Sequence, residues 1–283
     1  MKELRGLGTA LITPFKADKS VDYEALARLL DTQLKGSVDY IVVLGTTGEA
    51  ATMTEVEKRE VRTFIQKYVN GRLPLVLGVG GNNTAAVCET LKTIDLTGFE
   101  AILSVCPYYN KPNQEGLYQH FCAVAEASPI PVILYNVPGR TGVNLLPETV
   151  MRIYETHPDK IAGIKEASGN VEQIKHLIDL AKDKLLVISG DDGIACEIME
   201  AGGAGLISVA SNAFPKDFYD IVHKKAQAKQ AQYDQMIKLL FKEGNPVGIK
   251  AVLAQKGIIQ NYLRLPLVPA SEELQEEIKK ELA

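Results

Sequence analysis

In the stretch IAGIKEASG, residues 161–169, a lysine stands where an apolar run ends and a loop of small residues begins. Lysine is among the side chains least often fully buried, yet Lys165 follows Ile161, Ala162, Gly163 and Ile164 directly. Burial disfavours the ammonium form and lowers its pKa. The amine so freed attacks carbonyl carbon and forms a Schiff base. The bland alternative is a lysine that closes the mouth of the fold by pairing with a carboxylate. Adjacent Glu166 is a poor partner for that purpose, because successive strand residues point to opposite faces. Imine chemistry also moves protons at the carbinolamine stage, and Tyr135, near the end of IPVILYNV, offers a hydroxyl for it. A core tyrosine would look the same.

Three further stretches carry polar groups beside apolar runs. Arg140, in NVPGRTG, sits among Pro138, Gly139 and Gly142, a composition that sets a turn rather than a helix. Its guanidinium either grips a carboxylate through two parallel bonds or is a solvated loop charge. GTTGEA at 45–50 supplies the hydroxyls of Thr46 and Thr47 at a strand end, where N–H and O–H donors hold a small carboxylate or simply cap the next helix. CPYYNKPNQEG places Tyr108 and Tyr109 in a loop stiffened by Pro112, fit for an active site or an interface.

These residues need a scaffold, and the chain announces one. Short runs rich in β-branched and small apolar residues begin at 7, 40, 73, 101, 131, 161, 185 and 205. None alternates polar with apolar, so they read as strands buried on both faces, the signature of a parallel sheet. Helix-period segments separate them, with start signals at Asp22, at Thr54 with Glu57 as a capping box, and at Thr84. Alternating βα units over about 220 residues make either a closed (β/α)8 TIM barrel or an open doubly wound sheet. A dinucleotide-binding sheet would carry G-x-G-x-x-G after its first strand; here that strand ends in TPF, and GVGGNN at 78–83 lacks the last glycine. The expected fold is the barrel, α/β in class, as a catalytic domain over 1–228. A C-terminal helical domain is expected over 229–283, where strand runs stop. In such barrels chemistry sits at the C-terminal ends of the strands. Thr46, Thr47, Tyr108, Tyr109, Tyr135, Arg140, Lys165 and Gly190 all stand there, and Ser208 lies on the eighth strand.

Composition excludes several other functions. A net charge of −4 with mixed signs leaves no basic stripe for nucleic acid. Four cysteines without a CxxC pair argue against a disulfide framework or zinc ribbon, and fit a reducing cytoplasm. The N-terminal run is cut by Pro14, Lys16 and Asp18 and has no A-x-A-like cleavage pattern, so a signal peptide is not expected. No apolar run is long enough to span a membrane. His120, His157, His176 and His223 show no metal-ligand spacing, His120 reads as helix surface, and neither a GxSxG elbow nor a P-loop occurs. No metal or cofactor is called for. AGGAGLISV leaves open a phosphate-handling sugar isomerase, and a non-catalytic barrel that binds a small carboxylate is the other competing class.

GTTGE at 45–49, PYYNKP at 107–112, YNVPGRTG at 135–142, GIKEASG at 163–169, SGDD at 189–192 and ISVASN at 207–212 together resemble the 4-hydroxy-tetrahydrodipicolinate synthases, also called dihydrodipicolinate synthases. The likeness runs in order from about residue 3 to the C-terminal helices. It implies a pyruvate-dependent lyase on a TIM barrel, in which Lys165 forms the Schiff base with pyruvate. Tyr135, Thr46 and Tyr109 would relay protons, with Tyr109 shared across a tight dimer of a homotetramer that is a dimer of dimers. Thr46 and Thr47 would hold the pyruvate carboxylate, Arg140 that of L-aspartate 4-semialdehyde, and main chain near Gly190 and Ile207 would line the pocket. The implied pathway is lysine and diaminopimelate biosynthesis. N-acetylneuraminate lyases and 2-keto-3-deoxy sugar-acid aldolases share the Lys and Tyr and remain the alternative, against which VPGRTG and the YYN pair weigh. Lysine-inhibited members resemble one another in carrying His or Glu where this chain has Lys58 and Glu where it has Ala86, so feedback by lysine is expected to be weak or absent.

Overall fold

The computed structural model, which describes residues 4–283, turns each of the eight apolar runs into a strand. They are β1 (Gly6–Ala10), β2 (Tyr40–Val43), β3 (Leu75–Gly78), β4 (Ala101–Val105), β5 (Val132–Asn136), β6 (Ile161–Glu166), β7 (Leu186–Ser189) and β8 (Gly205–Ser208). The strands neighbour one another in chain order, and the order closes on itself as a barrel. Every pairing with an assigned register is parallel. Nearly every strand residue is buried, which accounts for the lack of alternation in the sequence. The (β/α)8 reading is therefore correct.

The residues pack as two compact units. One consists of residues 4–6 and Pro74–Ile207, the other of Leu7–Leu73 and Ser208–Ala283. Within the first, β3 to β8 run side by side, and helices such as Gln114–Ala127 and Val171–Ala181 turn apolar stripes inward: Leu117, Phe121 and Val124 from one, Ile174 and Leu177 from the other. The seam of the ring also lies here. The N–H of Gly6 donates to the carbonyl of Ala204 at 2.9 Å, and a β-carbon at position 205 would stand 2.1 Å from the carbonyl oxygen of Gly6, so only glycine allows that approach.

In the second unit the helix Tyr23–Lys35 starts where Asp22 accepts from the N–H of Ala25 at 3.0 Å, and buries Leu26, Leu29 and Leu30. The expected capping box at Thr54 and Glu57 forms in both directions, at 2.9 and 3.2 Å. In the first unit, by contrast, the start expected at Thr84 lies one residue earlier, because the Asn83 side chain takes the N–H of Ala86 at 3.3 Å. Past β8 the chain is helical, with Asp234–Lys242, Val247–Gln255 and Glu272–Glu281 burying Leu239, Leu240, Val252, Leu253, Leu274 and Ile278. Burying one leucine stabilises by about 2 kcal/mol, against about 0.5 for an exposed ion pair, so these apolar faces rather than the surface charges hold the helices down.

Glu57 has a second task. Its carboxylate receives the guanidinium of Arg264, which also bonds the carbonyls of Lys19 and Thr52. Arg264 first, and Thr54 after it, hold Glu57 at about 2, below the ordinary 4.5, against the opposing effect of partial burial. A carboxylate depressed on folding contributes stability that is present above its unfolded pKa and disappears as pH falls through the folded one. Denaturant melts should therefore show the deficit of Arg264→Met shrinking steadily between pH 4.5 and about 2. A deficit constant over that range would exclude this linkage.

Candidate active site

Strand register sets the first group of residues. In the pairing of β5 with β6, Tyr135 lies opposite Lys165 and Asn136 opposite Glu166. Alternation along each strand sends these two pairs to opposite faces. Lys165 and Tyr135 are both 6% exposed, and the Lys165 Nζ lies 4.4 Å from the centroid of the Tyr135 ring. That is cation–π distance, which offers a partly desolvated ammonium some compensation without giving it a proton acceptor. Among the described residues no carboxylate pairs with Lys165. The structural alternative, a lysine spent on an ion pair, therefore fails.

On the other face Glu166 is fully buried and bonded to its neighbours. Asn136 Nδ2 donates to it at 2.9 Å, Gln173 Nε2 at 3.2 Å and the N–H of Ser168 at 2.7 Å. Burial raises its pKa, with those donors pulling the other way. Asn136 also takes the N–H of Leu145 at 2.9 Å and gives to Asn144 at 2.8 Å. The residues that follow Tyr135 and Lys165 are thus tied to each other, which holds the two inner side chains in register.

Gly190, after β7, is the third member. A β-carbon there would come within 2.9 Å of Lys165 Cε and 2.7 Å of Ala167 Cβ. Glycine lets the main chain lie against the lysine stem. Ile207 is fully buried on β8. Arg140 departs from the expected turn, since Pro138–Thr141 make one helical turn with Pro at its start and Gly142 ends it at φ 74°. Proline at the first helical position and glycine at the last explain why the same composition makes a short helix. Arg140 itself is exposed.

Tyr108 and Tyr109 are 43% and 89% exposed, on a loop pinned by reciprocal bonds. Asn82 Nδ2 gives to the carbonyl of Tyr108 at 3.1 Å, and Asn110 Nδ2 to that of Asn82 at 2.9 Å. Two further expectations in this unit fail. His120 is buried rather than on the helix surface, bonded to Thr84 at 2.9 Å, and pushed down to about 4 by desolvation, hence neutral at ordinary pH. AGGAG precedes β8 instead of following it. There Gly203 turns the chain by giving its N–H to Ile198 at 2.8 Å, so it stands at the end of the strand opposite to the one where barrel enzymes hold phosphate.

The Leu7–Leu73 and Ser208–Ala283 unit carries the threonines. Thr46–Gly48 form a single 3-10 turn after β2, with Thr46 exposed and Thr47 buried. Glu49 ends it at φ 54°, a left-handed conformation that costs a non-glycine residue about 1 kcal/mol. Four groups hold that turn. Thr13 Oγ1 donates to the carbonyl of Gly48 at 2.8 Å, and Asn245 Nδ2 to Thr47 Oγ1 at 3.0 Å. Lys250 Nζ pairs with Glu49 Oε1, and the N–H of Arg264 gives to Oε2 at 3.1 Å. Burial draws the Lys250 ammonium down to about 8, with Glu49 pulling it back up. Lys250 also gives to the carbonyl of Tyr262 at 3.1 Å and lies 4.2 Å from the Phe15 ring centroid. None of Asn245, Lys250 and Arg264 stood out in the sequence. One signal was available, a lysine in the middle of the apolar helix VGIKAVLAQ.

Lys58 pairs with Glu55 at 2.8 Å on its own helix, and Ala86 is exposed. No described helix is long and apolar enough to cross a membrane.

A closed parallel barrel that brings a buried lysine and a tyrosine together at the C-terminal ends of neighbouring strands is, in class, a (β/α)8 lyase. Its sequence matches the Dihydrodipicolinate synthetase family over residues 3–283. It is 49% identical to the 4-hydroxy-tetrahydrodipicolinate synthase of Parabacteroides distasonis, over 99% of this chain and 96% of that one. Identity to the synthase of Flavobacterium psychrophilum is 51%, over 97% and 96%. A similar solved structure is the chloride-inhibited dihydrodipicolinate synthase of Acinetobacter baumannii complexed with pyruvate, with a TM-score of 0.95, 40% identity, and coverage of 99% of this chain and 98% of that one. The chain belongs to the dihydrodipicolinate synthetase family.

Proposed function

We propose that the protein condenses pyruvate with L-aspartate 4-semialdehyde to give 4-hydroxy-tetrahydrodipicolinate. The observation that carries this is Lys165, buried, with no carboxylate partner among the described residues and 4.4 Å from the Tyr135 ring, in a chain of this family. Lys165 Nζ attacks the keto carbon of pyruvate. The carbinolamine loses water to an imine, with Tyr135 moving the proton. Loss of a methyl proton gives the enamine, whose carbon attacks the aldehyde of the semialdehyde. The amine of that substrate then displaces Lys165 as the ring closes, freeing the enzyme.

Thr46 and Thr47 hold the pyruvate carboxylate and Arg140 that of the semialdehyde, while main chain at Gly190 and Ile207 lines the pocket. Thr46 and Tyr109 complete the relay with Tyr135. The 89% exposure of Tyr109 on a pinned loop supports its passing to a second subunit, in a homotetramer built as a dimer of dimers. Residues 1–228 form the catalytic barrel domain and 229–283 a helical domain, at work in the cytoplasm in lysine and diaminopimelate biosynthesis. Lys58 and Ala86 leave lysine a weak effector.

Borohydride tests the reading. Reduction in the presence of pyruvate should add to Lys165 the mass of pyruvate less water plus two hydrogens, and adding the semialdehyde first should lower the yield. A carboxylate-binding barrel without chemistry would give no adduct.

A further inference from the structure

The Glu49–Lys250 pair is costly for what it contributes to the fold. Its side chains are 1% and 0% exposed. Two charges taken out of water recover little more than their desolvation, and a well-packed apolar pair of the same size commonly serves stability as well. What the pair supplies is location. Glu49 ends the turn that begins at Thr46, two residues beyond Thr47, and its two carboxylate oxygens are taken by Lys250 Nζ and the Arg264 N–H. Asn245, on the same segment as Lys250, gives its Nδ2 to Thr47 Oγ1 at 3.0 Å. With one lone pair of that oxygen engaged as acceptor, the Thr47 O–H is available to donate.

We infer that Glu49 and Lys250 are positioning residues, which with Asn245 set the Thr46–Thr47 turn so that its hydroxyls and N–H groups face a substrate carboxylate as donors. The inference rests on the proposed pyruvate chemistry. It goes beyond it by assigning the affinity for the keto-acid carboxylate to a buried ion pair that touches no substrate. Lys250 also neutralises Glu49, whose charge would otherwise stand beside an anion site.

The test is a titration of pyruvate in the borohydride trap on the full-length protein, which reads keto-acid affinity without the second substrate. Glu49→Gln keeps size and shape but leaves Lys250 without its countercharge, whereas Glu49→Gln with Lys250→Met removes both charges together. The half-saturating pyruvate concentration should rise about fivefold in the first and about tenfold in the second, the scale of one ordinary net hydrogen bond. Trapping at saturation should stay within about threefold of wild type, and KM for the semialdehyde should not move. A merely structural pair would lower the melting temperature and leave the pyruvate titration alone. Unchanged half-saturation in either folded variant overturns the inference, as does a loss confined to trapping at saturation. Should the double variant fail to fold, Glu49→Gln decides the matter. A wild type that traps no pyruvate overturns the lyase reading itself, which sets that failure apart.

Discussion

Lys165→Ala should retain the barrel, trap no pyruvate and lose at least about 10⁴-fold in kcat, the scale on which removal of a covalent nucleophile acts. Nothing else nearby can take over. Among the described residues the other fully buried lysine is Lys250, which is occupied by Glu49 and the Tyr262 carbonyl. The fold should bear the loss, since Lys165 makes no ion pair with any described residue and alanine leaves no unpaired charge behind. Its stem does pack against Gly190 and the Tyr135 ring, so a modest drop in melting temperature is expected. Steady-state rates, a melt and the mass of the borohydride-treated protein check all three parts. Undiminished condensation would end the lyase reading.

Tyr135→Phe should cost about 10² to 10³ in kcat, within the range for removing a positioned proton donor. The ring remains, and with it the contact to Lys165 and the packing of a residue only 6% exposed. Loss therefore reports on the hydroxyl alone. Because that hydroxyl serves dehydration of the carbinolamine, imine formation itself should slow. Rapid-quench trapping at saturating pyruvate should show a slow approach to the same final adduct yield as wild type. A normal trapping rate with slow turnover would move the role of Tyr135 to a later step.

How much of this was legible beforehand divides along a physical line. All eight strands could be read because burial on both faces writes itself as an unbroken apolar run. Helix starts at Asp22 and Thr54 were legible because a cap is a local bond, spanning three residues in each case. The same locality explains the error at Thr84, where two adjacent residues were both capable of capping and Asn83 took the role. Lys165 and Tyr135 stood out as polar groups in apolar strands, and the register of β5 with β6 places them side by side. What could not be read is held by contacts between distant parts of the chain. Asn245 meets Thr47 across a separation of 198 residues, and Arg264 meets Glu57 across 207. No periodicity records such pairings. His120 was misjudged for a related reason, since only its bond to Thr84, 36 residues away, makes its burial tolerable.

The seam between Gly6 and Ala204 bears on how the molecule is made. Its two sides lie about 200 residues apart, so much of the loop-closure entropy falls due before the ring can shut. During translation the first strand leaves the ribosome long before its last neighbour has been synthesised. For that interval a nascent chain carries open strand edges with apolar faces, the kind of surface on which polypeptides aggregate. Chaperone demand should therefore peak late in synthesis and fall once the eighth strand has emerged.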